Sequence, residues 1–231
     1  MKGFFYKLTY SHKHRRAHLY NFGCNFRCRG CFYRISPPRP QRRLSLSEIE
    51  AALASLRERG ASRLHLLGGE PTVNPELQEV IWLARSLGFR VVLITNGSNR
   101  VPEGVDRISA SIKAMSDEVH RAYTGRPVRP VLENVRDAYE RGIDVHASTV
   151  LIPGLVDVDE VERIAAFLAS LDELIPFYII GFMPPPGSPW RKPTDEEVEA
   201  AARAARRHLK YVATSNPRPE TIRHESEVIL R

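Results

Sequence analysis

The residues of this sequence most suited to chemistry are three cysteines within one stretch of eight residues. The spacing C-x3-C-x2-C joins Cys24, Cys28 and Cys31, and the chain has no other cysteine. A disulfide framework favours an even number of cysteines spread along the chain, and a catalytic thiol needs only one. Cysteine thiolates are the usual ligands of iron–sulfur clusters. Three of them would leave one iron of a cubane [4Fe–4S] cluster open to a small molecule.

A zinc site is the alternative that these cysteines leave open. Structural zinc normally takes four ligands, so a histidine would have to join the three thiolates. The candidates lie upstream, at His12, His14 and His18. Because zinc needs this fourth ligand and the cluster does not, the cysteine count favours the cluster.

Charge and hydrophobic pattern limit the classes of partner. The formal net charge is +7, with basic residues concentrated in 13–16 and 34–43. Such segments can contact nucleic acid, so a metal-binding nucleic-acid-binding protein is a second class of function, although a solvated face is their commoner role. No 18-residue apolar run predicts a membrane helix, and the apolar start at residues 1–6 is too short for a signal peptide. Thiols reserved for a metal indicate a reducing compartment, so we expect a cytoplasmic protein with no membrane partner.

Hydrophobic runs alternate with helical patterns along the chain. Six strands are predicted at residues 18–23, 64–67, 90–94, 108–113, 145–151 and 177–182, and one more after residue 211. Helices are predicted at 45–60, 74–87 and 130–142, and from residues 157 and 194. This alternation is typical of an α/β protein with a parallel sheet and helices outside it. Six units are too few for a closed eight-unit barrel, so we expect a partial (β/α)6 TIM-like barrel, open on one side. The length predicts one domain over residues 1–231, with its core at about 18–210 and a tail at 211–231.

Polar residues and glycines follow the carboxyl ends of these strands, where parallel α/β folds bind ligands. The second strand ends at Gly68-Gly69-Glu70. Two glycines let the backbone approach a ligand closely, and a carboxylate there can hold an ammonium group. At the fourth strand end, Ser111 and Lys113 face the same side. An inward lysine needs an anion.

The cysteine spacing resembles the cluster motif of the radical S-adenosylmethionine (radical SAM) superfamily, and Gly68-Gly69-Glu70 matches the G-G-E motif of that family. Its members bind a [4Fe–4S] cluster through three cysteines, place SAM on the fourth iron and contact the SAM amino group at the G-G-E motif. Their core fold is the partial (β/α)6 barrel. One departure is Gly30, which stands where the family often has an aromatic residue, whereas Phe32 and Tyr33 follow the last cysteine.

The resemblance implies a site residue by residue. The implied cluster ligands and catalytic residues are Cys24, Cys28 and Cys31, and the implied SAM contacts are Phe32, Gly68, Gly69, Glu70, Thr95, Asn96, Ser111, Lys113, Ile152 and Tyr178. Thr95 and Asn96 belong to a T-N-G motif at the third strand end. Lys113 would face the SAM carboxylate, and Ile152 would pack on the adenine.

The overall layout is similar to the glycyl-radical-enzyme activating enzymes, of the pyruvate formate-lyase activating enzyme type. These carry Asp-x-Lys where this chain has Ser111 and Lys113, and a histidine that holds SAM where it has Tyr178. The resemblance implies an oxidoreductase that receives an electron from flavodoxin or ferredoxin and cleaves SAM to methionine and a 5′-deoxyadenosyl radical. The radical would abstract hydrogen from a substrate. A partner protein is the first candidate, and a small molecule, as in deazaguanine-type synthases, is the alternative.

Overall fold

One nine-stranded sheet organises the computed structural model, which describes residues 3–218 and 226–231. The strands are β1 (Phe4–Ser11), β2 (Arg16–Phe22), β3 (Arg63–Gly68), β4 (Arg90–Thr95), β5 (Arg107–Ser111), β6 (Asp144–Leu151), β7 (Phe177–Gly181), β8 (Val212–Ser215) and β9 (Glu227–Leu230). Their order across the sheet is β8-β7-β6-β5-β4-β3-β2-β1-β9. Neighbours from β2 to β8 pair in parallel, whereas β1 is antiparallel to both β2 and β9.

Helices connect the parallel strands and cover one face of the sheet. They are α1 (Phe32–Ile35), α2 (Leu46–Glu58), α3 (Leu77–Ser86), α4 (Asp117–Thr124), α5 (Arg129–Glu140), α6 (Val158–Ala169) and α7 (Asp195–Ala205), with a 3₁₀ helix at Pro71–Val73. Capping boxes fix the starts of α2 and α7, where Ser45 and Thr194 each accept a hydrogen bond from a backbone N–H three residues on. Among the described residues, no helix is long and apolar enough to cross a membrane.

The two faces of the sheet differ in polarity. Along β2, Ala17 and Leu19 are fully buried and join Leu53 of α2 in the main hydrophobic core. The alternate residues Arg16 and His18 point to the opposite, inner face, where burial is only partial. Burying a leucine side chain contributes about 2 kcal/mol, so the helix-covered face supplies most of the stability. The inner face is thereby left available for ligands.

The structure confirms the predicted α/β partial barrel, open on one side. The six predicted strands correspond to β2–β7, and the strand predicted after residue 211 is β8. The strand–helix alternation does not predict β1, which precedes the first parallel strand and forms a hairpin with it. Nor does it predict α4.

The helix expected to begin at Asn74 begins at Leu77 instead. The 3₁₀ helix Pro71–Val73 comes first, and the side-chain oxygen of Asn74 accepts a hydrogen bond from the backbone N–H of Glu76 (3.0 Å). Asn74 therefore closes a turn, as asparagine does where its side chain competes with the backbone for hydrogen bonds.

Candidate active site

The cysteine loop, residues 24–31, follows β2 and is held against the carboxyl end of α4. The backbone N–H of Arg27 donates to the carbonyl of Thr124 (2.8 Å), and that of Arg29 donates to the carbonyl of Tyr123 (3.1 Å). The last carbonyls of a helix lack partners within the helix. These two hydrogen bonds therefore complete α4 and fix the loop at the same time.

The Gly68-Gly69 pair packs against the start of the cysteine loop. The N–H of Gly69 donates to the carbonyl of Asn21 (2.9 Å), and the N–H of Glu70 donates to the carbonyl of Gly23 (2.8 Å). A Cβ added at Gly68 would lie 2.4 Å from the Asn21 oxygen, and one added at Gly69 would lie 2.1 Å from the Gly23 oxygen. Carbon and oxygen atoms that are not bonded do not approach so closely, so only glycine lets the end of β3 meet this loop.

All three thiols line two adjacent cavities at the carboxyl end of the sheet. The smaller has a volume of about 290 Å³, and the larger, about 390 Å³, extends along the inner face to Lys113. We call the larger one the cofactor cavity. Burial raises the pKa of Cys24, and it raises the pKa of Cys28 to about 11, while Lys113 opposes the rise at Cys28. Metal binding must therefore release thiol protons.

Two of the upstream histidines proposed as a fourth zinc ligand contact other side chains. His12 Nε2 lies 2.8 Å from the Glu227 carboxylate, and the ring of His18 packs on that of His65 at 5.4 Å. Within residues 3–218 and 226–231, no three His, Cys, Asp or Glu side chains converge on a point suited to a single metal ion. All three thiols line the same cavity, and cysteine thiolates are the usual protein ligands of iron–sulfur clusters.

Glu70 is fully buried, and its carboxylate is turned into the protein. Oε1 accepts hydrogen bonds from the N–H (3.1 Å) and hydroxyl (2.7 Å) of Thr72 and from the hydroxyl of Thr95 (2.7 Å), and Oε2 accepts one from the N–H of Asn96 (2.6 Å). Burial raises the pKa of Glu70, and these four hydrogen bonds oppose the rise. The expected contact of this carboxylate with the SAM amino group stays a prediction. Glu70 joins the ends of β3 and β4 and supports the cavity wall from behind.

The substitution Glu70→Gln is expected to destabilise the protein by about 2 kcal/mol, because the new amide must turn a donor toward a donor in a buried site. Urea unfolding of the reduced chain measures the loss. The matched control is Glu79→Gln, the same chemical change at an exposed position on α3. Equal midpoints for the two variants would contradict the hydrogen-bond network described for Glu70.

The other predicted contacts at the second, third and fourth strand ends lie together. The cofactor cavity is lined by Phe32, Gly68, Gly69, Thr95, Asn96, Ser111 and Lys113. The side-chain amide of Asn96 donates to the side-chain oxygen of Asn25 (2.9 Å) and lies 3.8 Å from Cys24 Sγ. It thus bridges the end of β4 and the cysteine loop. The sequence does not predict a role for Asn25, because its hydrogen-bond partner Asn96 is distant in the sequence.

The predicted adenine contact, Ile152, does not lie on the cavity wall. It is fully buried, and it pairs with Val156 in an isolated bridge just after β6 ends. The chain turns there, so the alternation of faces along β6 does not continue to residue 152. Val150, the last inward residue of the strand, lines the cavity instead.

Tyr178 lies on the inner face but in a different cavity. It lines a third cavity of about 480 Å³, in which Ser109, Ser111 and Ser148 also lie. We call this the hydroxyl-lined cavity. It adjoins the cofactor cavity, because Ser111 lines both. The ring of Tyr178 stacks on His146 at 6.3 Å.

The structure gives a physical reason for Gly30. A Cβ at this position would lie 2.7 Å from the ring of Phe182, which follows β7 and lines the cofactor cavity. The ring of Phe182 packs in turn on Trp190 at 6.3 Å. An aromatic side chain is thus present beside the cysteine loop, but it comes from the far end of the sheet, where the sequence carries no sign of it.

Two kinds of comparison relate the chain to known proteins by sequence. A family model described as the Radical SAM superfamily matches residues 20–168. A protein of Methanocaldococcus jannaschii, provisionally named a glycyl-radical enzyme activating enzyme, is 30% identical over 209 residues, which is 85% of this chain and 79% of that protein. The S-adenosylmethionine-dependent nucleotide dehydratase of a Thermoplasmatales archaeon is 32% identical over 152 residues, which is 61% of this chain and 54% of the dehydratase.

A solved structure shows the same fold. Streptococcus suis SuiB bound to S-adenosylmethionine superposes with a TM-score of 0.69 at 15% identity, over 87% of this chain and 51% of SuiB. The chain thus spans about half the length of the dehydratase and of SuiB. Because the family model covers more than half of its residues, the chain belongs to the radical SAM superfamily of enzymes.

Proposed function

We propose that this protein holds a [4Fe–4S] cluster on Cys24, Cys28 and Cys31 and binds SAM in the adjoining cofactor cavity. The proposal rests mainly on the packing of the cysteine loop against Gly68-Gly69. This packing places three thiols and the backbone of two glycines in the wall of one cavity. Three thiolates on one cavity can hold a four-iron cluster and leave one iron open. When both are bound, the reduced cluster and SAM supply a radical that removes a hydrogen atom from a substrate.

The residues of the chain bind and orient SAM. Lys113 brings a positive charge to the cavity wall and is available to the SAM carboxylate. Gly68 and Gly69 expose backbone groups, whose carbonyls can accept hydrogen bonds from the SAM amino group. Val150 offers an apolar surface to the adenine. The protein thus supplies binding and orientation, while the cofactors carry the difficult chemistry.

Two substrate classes have support. A partner protein or peptide is supported by the name of the M. jannaschii relative and by the structure of SuiB bound to its precursor peptide SuiA. A small molecule is supported by the name of the nucleotide dehydratase and by the hydroxyl-lined cavity, which opens beside the cofactor cavity. The cavity favours the small molecule, because it places several hydroxyl groups beside the cofactor cavity, where they can hydrogen-bond to a polar substrate.

The reaction also needs an electron donor and a reducing compartment. Flavodoxin or ferredoxin is the proposed electron donor, since the cluster must be reduced by one electron. We place the protein in the cytoplasm, where thiols stay reduced. Residues 1–231 are proposed to act as one radical SAM domain, with β1 as part of its core, because Phe5 and Leu8 are fully buried in the main hydrophobic cluster.

The test is anaerobic reconstitution with iron and sulfide, reduction with dithionite, and addition of SAM. We expect methionine and 5′-deoxyadenosine in equal amounts. A protein that loads zinc but no iron, or a loaded cluster that leaves SAM intact, would overturn the proposal. In either case nucleic-acid binding by the basic segments 13–16 and 34–43 would be assayed next.

A further inference from the structure

Four neighbouring parallel strands each begin with an arginine. These residues are Arg16 on β2, Arg63 on β3, Arg90 on β4 and Arg107 on β5. The first three are in register across their strands. Arg90 and Arg107 are an even number of residues before Ile94 and Ser111, which line the cavities, so they share the inner face. We call the four residues the arginine row. It lies at the end of the barrel opposite the cysteine loop.

Within the part of the chain that the structure describes, one of the four arginines in the arginine row forms an ion pair. Arg107 pairs with Asp144 at 2.6 Å, but within residues 3–218 and 226–231 the other three form no ion pair. Nε of Arg16 and Nε2 of His65 are buried and have no hydrogen-bond partner there. Burial first, and then the charges of His18, Arg16 and Arg63, lower the pKa of His65 to about 3. The buried Nε–H of Arg16, which has no partner there, and the unpaired charges of Arg63 and Arg90 favour the binding of an anion.

The chemistry of arginine narrows the class of anion. Its planar guanidinium offers paired donors that match the oxygens of a phosphate or a carboxylate. The four residue steps from Arg107 to Ser111 span about 13 Å along β5, which leaves room for a small polar molecule between the two positions. Ser109 lies between these two points, and Ser148 and Tyr178 lie level with Ser111 on the next two strands, so their hydroxyl groups line one cavity. They would hydrogen-bond to a polar body that joins the two ends.

We propose that the arginine row binds the anionic group, a phosphate ester or a carboxylate, of a small polar substrate. The body of that substrate occupies the hydroxyl-lined cavity, and its reacting carbon reaches the cofactor cavity. The proposal rests on the proposed function for the chemistry and adds the class of substrate. It selects a small molecule over a partner protein, because the anion site lies on the inner face at the far end of the strands from the thiols.

The experiment is isothermal titration of the reconstituted, anaerobic protein with inorganic pyrophosphate and, separately, with succinate. The variant R63Q/R90Q removes two charges from the arginine row. The control R100Q/R129Q removes two arginines that pair with Asp137 and Glu133 away from the inner face. We expect saturable binding of one anion by the wild type. Its affinity should fall about tenfold or more in R63Q/R90Q and stay within about twofold in the control.

Each result decides the proposal. Tighter binding of pyrophosphate identifies a phosphate ester, and tighter binding of succinate identifies a carboxylate. No saturable binding of either anion, or an equal loss in the control, would overturn the anion site, and so would a single-stranded oligonucleotide that binds more tightly than pyrophosphate. If R63Q/R90Q unfolds, the exposed single variant R90Q answers the same question.

Formation of 5′-deoxyadenosine without substrate separates this proposal from the proposed function. The arginine row does not line the cofactor cavity. The variant R63Q/R90Q should therefore still form 5′-deoxyadenosine from SAM without substrate. A wild type that binds pyrophosphate but leaves SAM intact would overturn the proposed function and leave the anion site standing.

Discussion

Replacement of Cys28 by alanine is expected to abolish cluster loading and SAM cleavage together. Cys28 is one of three thiols on the wall of the cofactor cavity. Without it, one more iron would lack a protein thiolate, and a cubane held by two thiolates has no stable attachment. The absorbance of the reconstituted protein measures loading, and 5′-deoxyadenosine measures cleavage. Both should fall to the background of protein that was never given iron and sulfide.

The control for this prediction is Arg29→Ala, in the same loop. Arg29 is exposed, and its guanidinium lies 5.1 Å from the centre of the Trp190 ring. Losing this contact costs about 0.5 kcal/mol at an exposed site, and the loop keeps its backbone hydrogen bonds to α4. Arg29→Ala should therefore load the cluster normally. A Cys28→Ala variant that still makes 5′-deoxyadenosine would show that the cluster is held elsewhere.

The substitution Gly69→Ala is expected to destabilise the protein by about 3 kcal/mol, at the upper end for overpacking. The new Cβ would lie 2.1 Å from the carbonyl oxygen of Gly23 and 2.8 Å from its carbonyl carbon. Both are backbone atoms, so no side chain can move aside. The cysteine loop must shift, and cluster loading should fall with stability. Urea unfolding of the reduced, cluster-free chain and the iron content after reconstitution measure the two effects.

Gly154→Ala separates this clash from the general cost of replacing glycine. Gly154 has a φ of +80° and no atom within 4 Å of its added Cβ, whereas Gly69 does not have a positive φ. Alanine at Gly154 should cost about 1 kcal/mol through backbone strain alone and leave cluster loading unchanged. If the two variants lose the same stability, the close approach to Gly23 is not what requires glycine at position 69.

The parallel part of the fold could be predicted because each β/α unit carries its own local signals. A short apolar run, a turn rich in glycine and a helical stripe recur from β2 to β7, and parallel strands bring their carboxyl ends to one edge. The strand β1 escaped prediction because it belongs to a hairpin and has no helix after it. Its run of aromatic and β-forming residues, Phe4–Ser11, is the only local sign of a strand there.

The site could be predicted as a set of positions, but the direction of each side chain could not. The Glu70 carboxylate turns inward because Thr72, Thr95 and the N–H of Asn96 surround it, and these donors come from two different strand ends. Tyr178 lies on the expected face and level with Ser111, but it lines the hydroxyl-lined cavity. The alternation of side chains along a strand determines on which face of the sheet a residue lies. Which cavity that residue lines depends also on how the neighbouring strands are aligned.

The pairing of β1 with β9 makes the order of synthesis important for this chain. Leu8 lies opposite Leu230, so the contact joins residues from the two extremes of the sequence described here. Until β9 emerges from the ribosome, the outer edge of β1 has unpaired backbone groups, which can recruit strands from other nascent chains. His12 and Arg59 both contact the Glu227 carboxylate and help to hold β9 once it arrives. Pairing with β9, rather than formation of the parallel strands, is therefore the step at which the outer edge of β1 becomes protected from aggregation.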